Sequence, residues 1–220
     1  MKKLIQRIVD FRAGLTPEER DLFAQLAQGQ RPEVLFVACS DSRVVPNLFA
    51  SKNPGDLFAL RNIGNLIPPS CSTQEDNSAS AVIEFAVFCL NVSDIIICGH
   101  SECGAMQALT QGIDTHSCSH LACWLKHGEE SLKKVRDGFV LDRSMSEHNQ
   151  VSQVNVLQQM EHIATYSFVK ERMEKKQLRV HGWWFDIAKA EVYYYKPEAG
   201  KFILIDEKEA AFMIEKLKGS

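Results

Sequence analysis

Two short polar segments of this chain carry residue types from which a metal site can be built. The first segment, Cys39–Arg43, has the sequence CSDSR, and the second, His100–Cys103, has the sequence HSEC. Two thiols, an imidazole and a carboxylate form a ligand set suited to tetrahedral zinc, a borderline-soft ion that accepts sulfur, nitrogen and oxygen donors. The sequence therefore predicts a zinc site whose candidate ligands are Cys39, Asp41, His100 and Cys103.

Each polar segment follows a run of apolar residues. The run over residues 34–38 precedes the first segment, and the run over residues 95–99 precedes the second. Such runs predict buried parallel strands, and open α/β sheets place their ligand sites at the carboxyl ends of these strands. We therefore expect the two segments to meet at one edge of a parallel sheet.

Asp41 has two candidate partners, the metal ion and Arg43. Residues i and i+2 of an extended segment project the same way, so the carboxylate and the guanidinium can pair. If Arg43 holds Asp41, zinc keeps a position for water, whose pKa the metal lowers from about 15.7 towards about 7. The free Asp41 carboxylate can then accept the proton of the zinc-bound hydroxide. Two thiolates leave more negative charge on zinc than imidazoles would, so we expect activity to rise in the alkaline range.

The composition is that of an ordinary globular protein. Of the 220 residues, 45% are hydrophobic and 24% are charged, and a chain of this length buries roughly 70% of its unfolded surface. No linker-like or repeated segment divides the chain. We therefore predict a single domain over residues 1–220, with a helical arm over residues 1–30 and an α/β core over residues 31–220.

Charge and hydropathy patterning exclude several classes of partner. The net charge is −3 with both signs interleaved, which gives no electrostatic basis for binding nucleic acid or acidic lipid. No run approaches the roughly 18 apolar residues of a membrane span, and Arg7, Asp10 and Arg12 interrupt any signal-peptide core. Seven cysteines are an odd number, which favours reduced thiols and a cytoplasmic location over a disulfide framework.

Strand and helix patterns alternate along the chain, which predicts an α/β fold. Apolar residues at helical spacing begin at Leu4, and the segment TPEE at residues 16–19 predicts the capped start of a second helix that buries Leu22, Phe23 and Leu26. After the arm we predict strands over 34–38, 56–61, 95–99, 178–184 and 191–195. We predict helices over 82–90, 119–135 and 146–166, a helix that begins at about 103, a short helix capped by Ser167, and a last helix that is capped by Asp206 and ends at Gly219. The expected architecture is a mostly parallel central sheet with an antiparallel edge strand, flanked by helices and preceded by the helical arm.

Taken together, these motifs resemble those of the β-class carbonic anhydrases over nearly the whole chain. Besides the two polar segments, the matches are the segment GDLF at residues 55–58, Arg61-Asn62, and HGW at residues 181–183. The resemblance implies one Zn²⁺ per chain, held by Cys39, Asp41, His100 and Cys103. It also implies the reversible hydration of CO2 to bicarbonate and a proton by zinc-bound hydroxide.

The resemblance further implies roles for the Asp41–Arg43 pair and for Gln30. The pair acts in this family as a switch between closed and open zinc. Gln30 corresponds to an amide donor that reaches across a dimer interface to the substrate, so the resemblance implies a homodimer or a higher oligomer built from dimers.

The resemblance assigns four positions to the apolar pocket for CO2. Phe58 and Ile63 line this pocket in the family, and a backbone group of Gly104 faces it. Phe85 stands where the family commonly has a tyrosine, so the chain lacks a phenol hydroxyl there. Phenylalanines also replace, at positions 36 and 185, the tryptophan and tyrosine of a subgroup that bicarbonate regulates, so the chain resembles the subgroup without that switch.

The residues leave other functions open. Zinc hydroxide would also attack carbonyl sulfide or CS2, which makes a hydrolase of such a compound an alternative. A non-catalytic zinc-binding protein is a second alternative, although a purely structural site needs neither Arg43 nor Gln30. A thiol–disulfide role is weakly supported because no CxxC motif occurs. The cluster His116, Cys118, His120 and Cys123 is interpreted as a polar loop that leads into a helix, because its spacing suits no regular chelate.

Overall fold

A six-stranded mixed sheet forms the centre of the protein. In this computed structural model, which describes residues 1–70, 77–114 and 117–218, the strands lie in the order β2-β1-β3-β4-β5-β6. Neighbouring strands pair in parallel from β2 to β4 and antiparallel from β4 to β6. The strands are β1 (Val34–Cys39), β2 (Leu57–Asn62), β3 (Asp94–His100), β4 (Arg179–Asp186), β5 (Glu191–Lys196) and β6 (Lys201–Leu204). The predicted α/β fold with an antiparallel edge is confirmed.

Helices precede the sheet and cover both of its faces. Within the described residues they are α1 (Lys2–Gly14), α2 (Pro17–Leu26), α3 (Pro46–Phe49), α4 (Asn77–Glu84), α5 (Gly104–Gln111), α6 (Ser119–Leu125), α7 (Glu129–Arg136), α8 (Glu147–Ile163), α9 (Ser167–Glu174) and α10 (Glu207–Lys218). In that part of the chain no helix has the length and apolar character needed to cross a bilayer.

The strand register brings the two polar segments to one edge of the sheet. In the parallel pairing of β1 with β3, Ala38 lies opposite Cys98, so both strands end within two residues of each other. Cys39 is the last residue of β1, and His100 is the last residue of β3. The expectation that the segments meet at the carboxyl ends of neighbouring strands is therefore confirmed.

The strands next to the site are buried on both faces, as their continuous apolar runs predict. Leu35, Val37, Ile95 and Ile97 belong to a core on one face of the sheet. Alternate residues on the other face, Phe36, Ala38, Ile96 and Cys98, form a second core with Phe185. Because both faces are covered, the end of the sheet is a rigid base for the side chains that follow it.

Helix α8 packs very closely against the sheet at two glycines. A Cβ atom on Gly99 would lie 2.8 Å from a methyl group of Val156, and one on Gly182 would lie 2.8 Å from both Met160 and Val156. The small residues allow α8 to approach β3 and β4, and the buried side chains of Ser152 and Asn155 can then reach the site. The glycine in the HGW motif therefore has a packing role.

The N-terminal arm makes few contacts with its own chain. The capping box predicted at Thr16 and Glu19 is confirmed, but neither arm helix contains a buried residue. The prediction that Phe23 is buried is wrong, since 40% of its surface is exposed; Leu22 and Leu26 are half-buried. The apolar residues of α1 are exposed, among them Leu4, Ile8 and Phe11.

Other predicted elements differ from the structure in their boundaries. One helix over 119–135 was expected, but a short 3-10 turn (Lys126–Gly128) divides α6 from α7, where a Cβ on Gly128 would lie 2.8 Å from Leu109. Tyr166 rather than Ser167 precedes the first helical residue of α9. Strand β6 was missed because its four residues follow a left-handed turn at Gly200 and lack a clear alternation. The cap at Asp206 is confirmed, whereas the stop at Gly219 falls outside the described residues.

The contact at Gly182 leads to a prediction about stability. We expect Gly182→Ala to lower the free energy of unfolding by about 1–3 kcal/mol, because the added methyl forces α8 away from β4 and Val156 is stiff at χ1. Urea denaturation of the purified protein measures this change. The control is Gly14→Ala, where the added methyl meets nothing within 4 Å; equal stability of the two variants would contradict the packing role.

Candidate metal centre

Three side chains converge where β1 and β3 end. Cys39 ends β1, His100 ends β3, and Cys103 is the residue that precedes α5. Their sulfur and nitrogen atoms lie within 4.8 Å of one another, and all three residues are buried. Over the described ranges, this is the only group of three or more histidine, cysteine or acidic residues with that geometry.

His100 is held in the tautomer that a metal ligand requires. Its Nδ1 lies 2.8 Å from the carbonyl oxygen of Ser101; a carbonyl can only accept, so Nδ1 carries the proton and Nε2 keeps its lone pair. Nε2 is fully buried and has no hydrogen-bond partner among the described residues. A buried acceptor without a donor is costly, and a metal ion at this point would satisfy it.

The two thiols are as far apart as two sulfur ligands of a single metal ion. Their sulfurs lie 4.0 Å apart, close to the roughly 3.8 Å expected in a tetrahedral zinc site with bonds of about 2.3 Å. The thiol of Cys103 and the backbone N–H of Gly64 point at the sulfur of Cys39 and lower its pKa. The pKa of Cys103 is raised by that same neighbour and by burial. Only a cation between them favours both thiolates, so the residues present fit the zinc that the sequence predicts.

Asp41 lies beside this group but is paired with Arg43. The guanidinium donates from Nε to Oδ1 at 3.0 Å and from Nη2 to Oδ2 at 2.7 Å, and the hydrogen bonds to Arg43 lower the pKa of Asp41 to about 2. Oδ2 nevertheless lies only 4.0 Å from Nε2 of His100. The carboxylate is thus ionised at neutral pH and lies within a short movement of the metal position.

The geometry of this pair corrects one detail of the sequence analysis. The segment is a turn rather than an extended strand, since the N–H of Val44 donates to the carbonyl of Asp41 and the N–H of Arg43 donates to Oδ1. An Asp side chain that bonds the backbone two residues on is typical of such turns. The pairing is therefore fixed by the local fold of the loop.

Arg61 holds that turn in place, a role that the sequence motif alone did not identify. From β2 it donates to the carbonyl oxygens of Cys39, Asp41 and Val44 at 2.7–3.1 Å. Carbonyl groups that lie outside regular strand pairing need other hydrogen-bond donors, and one guanidinium supplies them here. The signal in the sequence was an arginine in an otherwise apolar strand.

The residues assigned to the substrate pocket lie in four segments: β2, the turn that follows it, the end of α4 and the start of α5. Phe58 and Phe85 are in contact, with ring centroids 5.6 Å apart, and Phe85 begins a wide π-helical turn that extends α4. Ile63 is exposed and adjoins Gly64, whose N–H lies against the sulfur of Cys39. Gly104 is the first residue of α5, and a Cβ added there would meet no other described atom within 4 Å.

Two other predicted groups lie apart from these residues. Gln30 is exposed and precedes β1, at the amino end of the sheet, so the length of β1 separates it from Cys39 of the same chain. Cys118 and Cys123 are exposed and His120 joins them in no metal-binding group among the described residues. The remaining member of that cluster, His116, falls outside the described residues.

Comparison with known proteins assigns the chain to a family. Residues 34–192 match the family model described as carbonic anhydrase. A carbonic anhydrase of Synechococcus elongatus is 37% identical over 212 residues, which cover 94% of this chain and 76% of that protein. The chain belongs to the β-carbonic anhydrase family. Its activity is the reversible hydration of CO2 to bicarbonate and a proton, and the enzyme is a lyase.

Solved structures of the family share the fold described above. The β-carbonic anhydrase CcaA superposes with a TM-score of 0.84 at 35% identity, covering 94% of this chain and 92% of that one. A structure described as one of two tetrameric β-carbonic anhydrases from Sordaria macrospora gives a TM-score of 0.71 at 28% identity, covering 87% and 93%.

The geometry of the three ligands predicts the effect of removing one. We expect Cys39→Ser and His100→Ala to lose the bound metal together with CO2 hydration, because each missing ligand also leaves the others poorly arranged. Metal content by elemental analysis and stopped-flow hydration assays measure both losses. Cys123→Ser is the matched control, since its thiol is exposed; full metal content in Cys39→Ser would refute the assignment.

Proposed function

We propose that the carbonic anhydrase works with one zinc ion per chain, held by Cys39, His100 and Cys103, and that Asp41 and Arg43 control access to the fourth coordination position. The observation that carries the proposal is the bidentate Asp41–Arg43 pair next to an unpartnered His100 Nε2. A purely structural site closes with four protein ligands. Here Asp41, whose Oδ2 lies 4.0 Å from Nε2 of His100, is held by Arg43 instead.

Zinc at this position supplies a coordinated water whose pKa is low enough for nucleophilic attack near neutral pH. The chain's own residues keep that position free. Arg43 binds both carboxylate oxygens of Asp41, and such charge-assisted bidentate pairs are geometrically specific. Asp41 remains ionised throughout the physiological range, since Arg43 lowers its pKa to about 2. The carboxylate can therefore accept a hydrogen bond from a group at the metal position without leaving its guanidinium.

We propose that apolar residues near the metal position bind a substrate that has no net dipole. The family resemblance assigns this role to Phe58, Ile63, Phe85 and Gly104. Phe58 contacts Phe85, and Ile63 adjoins Gly64, whose N–H lies against the sulfur of Cys39. Apolar walls exclude water and strengthen the electrostatic interactions within the site. CO2 fits this chemistry. Turnover of carbonyl sulfide or CS2 stays a prediction that side-by-side assays would test.

We also propose that the active unit is a homodimer in which Gln30 serves the site of the partner chain. Two observations support this arrangement: Gln30 lies at the amino end of the sheet, and the apolar residues of α1 are exposed, including Leu4, Ile8 and Phe11. A symmetric dimer buries such a face against its copy. The tetrameric relatives from Sordaria macrospora support assembly beyond the dimer.

Two further parts of the proposal concern location and organisation. We propose a cytoplasmic location because the six described cysteines are free and because a site with two thiolate ligands needs reducing conditions. We also propose that residues 1–220 form one domain, with residues 1–30 as the arm.

Arg43→Ala tests the control of the fourth position. We expect the variant to keep its zinc and to lose CO2 hydration by roughly tenfold to a hundredfold, because the freed carboxylate of Asp41 binds the metal. Each charge-assisted hydrogen bond contributes about 1.5–3 kcal/mol, and we discount this because the Arg43 side chain is 49% exposed and solvent screens the pair. Raising the pH should restore little activity, since Asp41 is already ionised.

Arg179→Ala is the matched control for that experiment. Arg179 makes the same bidentate pair with Asp94, at 2.8 and 2.7 Å, but at the amino end of the sheet. We expect it to hydrate CO2 at close to the wild-type rate. Wild-type turnover by Arg43→Ala at alkaline pH would show that Asp41 does not control the metal.

Mixing two inactive variants tests the role of Gln30. In a mixed dimer, the Gln30→Ala chain keeps its metal ligands and receives an intact Gln30 from the His100→Ala chain, so this site is complete. The other site lacks both His100 and Gln30. Random mixing should therefore restore about a quarter of the wild-type sites, whereas each variant alone should have little activity. Hydration assays on subunits that were dissociated and reassembled together measure this recovery. A lack of recovery, with mixed dimers verified by mass spectrometry, would place Gln30 in its own chain's site.

A further inference from the structure

Glu102 has an unusual backbone conformation in the loop between two of the proposed metal ligands. Its φ angle is +54°, in the left-handed region that side chains other than glycine, asparagine and aspartate rarely adopt. Such a conformation persists only where surrounding contacts impose it, and residues of this kind concentrate at functional sites. Contacts with neighbouring residues therefore hold Glu102 in this conformation.

Asn149, in the first turn of α8, holds Glu102 at two points. Its Oδ1 accepts from the backbone N–H of Glu102 at 2.8 Å, and its Nδ2 donates to the carboxylate oxygen Oε1 at 2.8 Å. The other carboxylate oxygen lies 3.1 Å from Nε2 of His148 and accepts from Gln107 at 3.3 Å. Only Asn149 contacts both the backbone and the side chain of Glu102 among these residues.

The carbonyl group of Glu102 is in turn the anchor of Arg43. Nη2 of Arg43 donates to this oxygen at 2.8 Å and to Oδ2 of Asp41 at 2.7 Å. The Arg43 side chain is half exposed, so a long flexible group that faces water depends on fixed acceptors for its position. The direction of the Glu102 carbonyl is set by the same backbone conformation that Asn149 stabilises.

We propose that Asn149 is a positioning residue for CO2 hydration, acting through Glu102 and Arg43 to keep Asp41 off the metal. This inference rests on the proposed control of the fourth position by Asp41 and Arg43. Without Asn149 the loop leaves the left-handed conformation, the carbonyl of Glu102 turns away, and Arg43 loses one of its two anchors. Asp41 then spends more time on the metal.

The test is a double-mutant cycle on the zinc-loaded enzyme. We expect Asn149→Ala to keep its zinc and to lower kcat/KM for CO2 by roughly three- to tenfold, the effect of about one lost hydrogen bond. In the Arg43→Ala background the same substitution should change kcat/KM by less than about twofold, because the carbonyl of Glu102 then has no guanidinium to hold.

A binding measurement supplies a readout that is independent of turnover. Thiocyanate binding to the cobalt-substituted protein, followed by visible absorption, requires the fourth position to be free. We expect its dissociation constant to rise in Asn149→Ala by the same factor by which kcat/KM falls, since both depend on the open fraction. A loss of turnover with unchanged thiocyanate affinity would overturn the inference.

Gln150→Ala is the matched control on the same turn of α8. Its carboxamide donates to the carbonyl of Met145 at 2.7 Å and, among the described residues, makes no hydrogen bond with Glu102. We expect wild-type kcat/KM and wild-type thiocyanate affinity. If Gln150→Ala lost as much as Asn149→Ala, general destabilisation of α8 would account for both variants and the inference would fail.

Glu102→Ala keeps the experiment decisive if Asn149→Ala does not fold. It removes the carboxylate that Asn149 holds, so we expect the same direction of change in both readouts and no further loss when combined with Arg43→Ala. Independent, multiplicative losses in that combination would overturn the inference. If Arg43→Ala retains wild-type activity, the proposed control of the metal by Asp41 is refuted. If Arg43→Ala loses activity but Asn149→Ala and Glu102→Ala do not, that control stands and the role of Asn149 is refuted.

Discussion

The site depends on the engagement of one carboxylate by one guanidinium. Asp41 is close enough to the proposed metal to bind it, yet Arg43 takes both of its oxygens. In the proposed mechanism, the balance between these two partners decides whether the metal can carry a reactive water or is closed by protein. A difference of about 1.4 kcal/mol changes that ratio tenfold, so small changes in the position of Arg43 have large effects on activity.

Much of the surrounding structure serves to hold this pair. Arg61 fixes the turn that contains Asp41 by bonding three of its carbonyl oxygens, and the Glu102 carbonyl fixes the guanidinium from the other side. Behind them, Ser152 of α8 donates to the carbonyl of His100. Groups on rigid elements position catalytic side chains more closely than flexible loops do, and here two strands and α8 supply them.

The exposed arm and the position of Gln30 connect the chemistry to assembly. Exposed apolar residues such as those of α1 indicate association with another surface. Gln30 lies at the amino end of the sheet, whereas Cys39 and His100 lie at its carboxyl end. If both features serve a neighbouring chain, one interface completes the fold and the site together. Stability and activity would then depend on protein concentration in the same way.

The local chemistry could be predicted from the sequence because it depends on residue types close together in the chain. The CSDSR and HSEC segments after apolar runs were sufficient to predict that Cys39, His100 and Cys103 converge, and the alternation of strand and helix patterns was sufficient to predict a mostly parallel sheet. The sequence did not reveal that Phe23 is exposed, that a 3-10 turn at Lys126–Gly128 divides α6 from α7, or that Asn149 holds Glu102. Those features arise from contacts between residues far apart in sequence, such as 149 with 102. The packing of α8 against the sheet decides the contact between Asn149 and Glu102, because such hydrogen bonds form once both elements are in place.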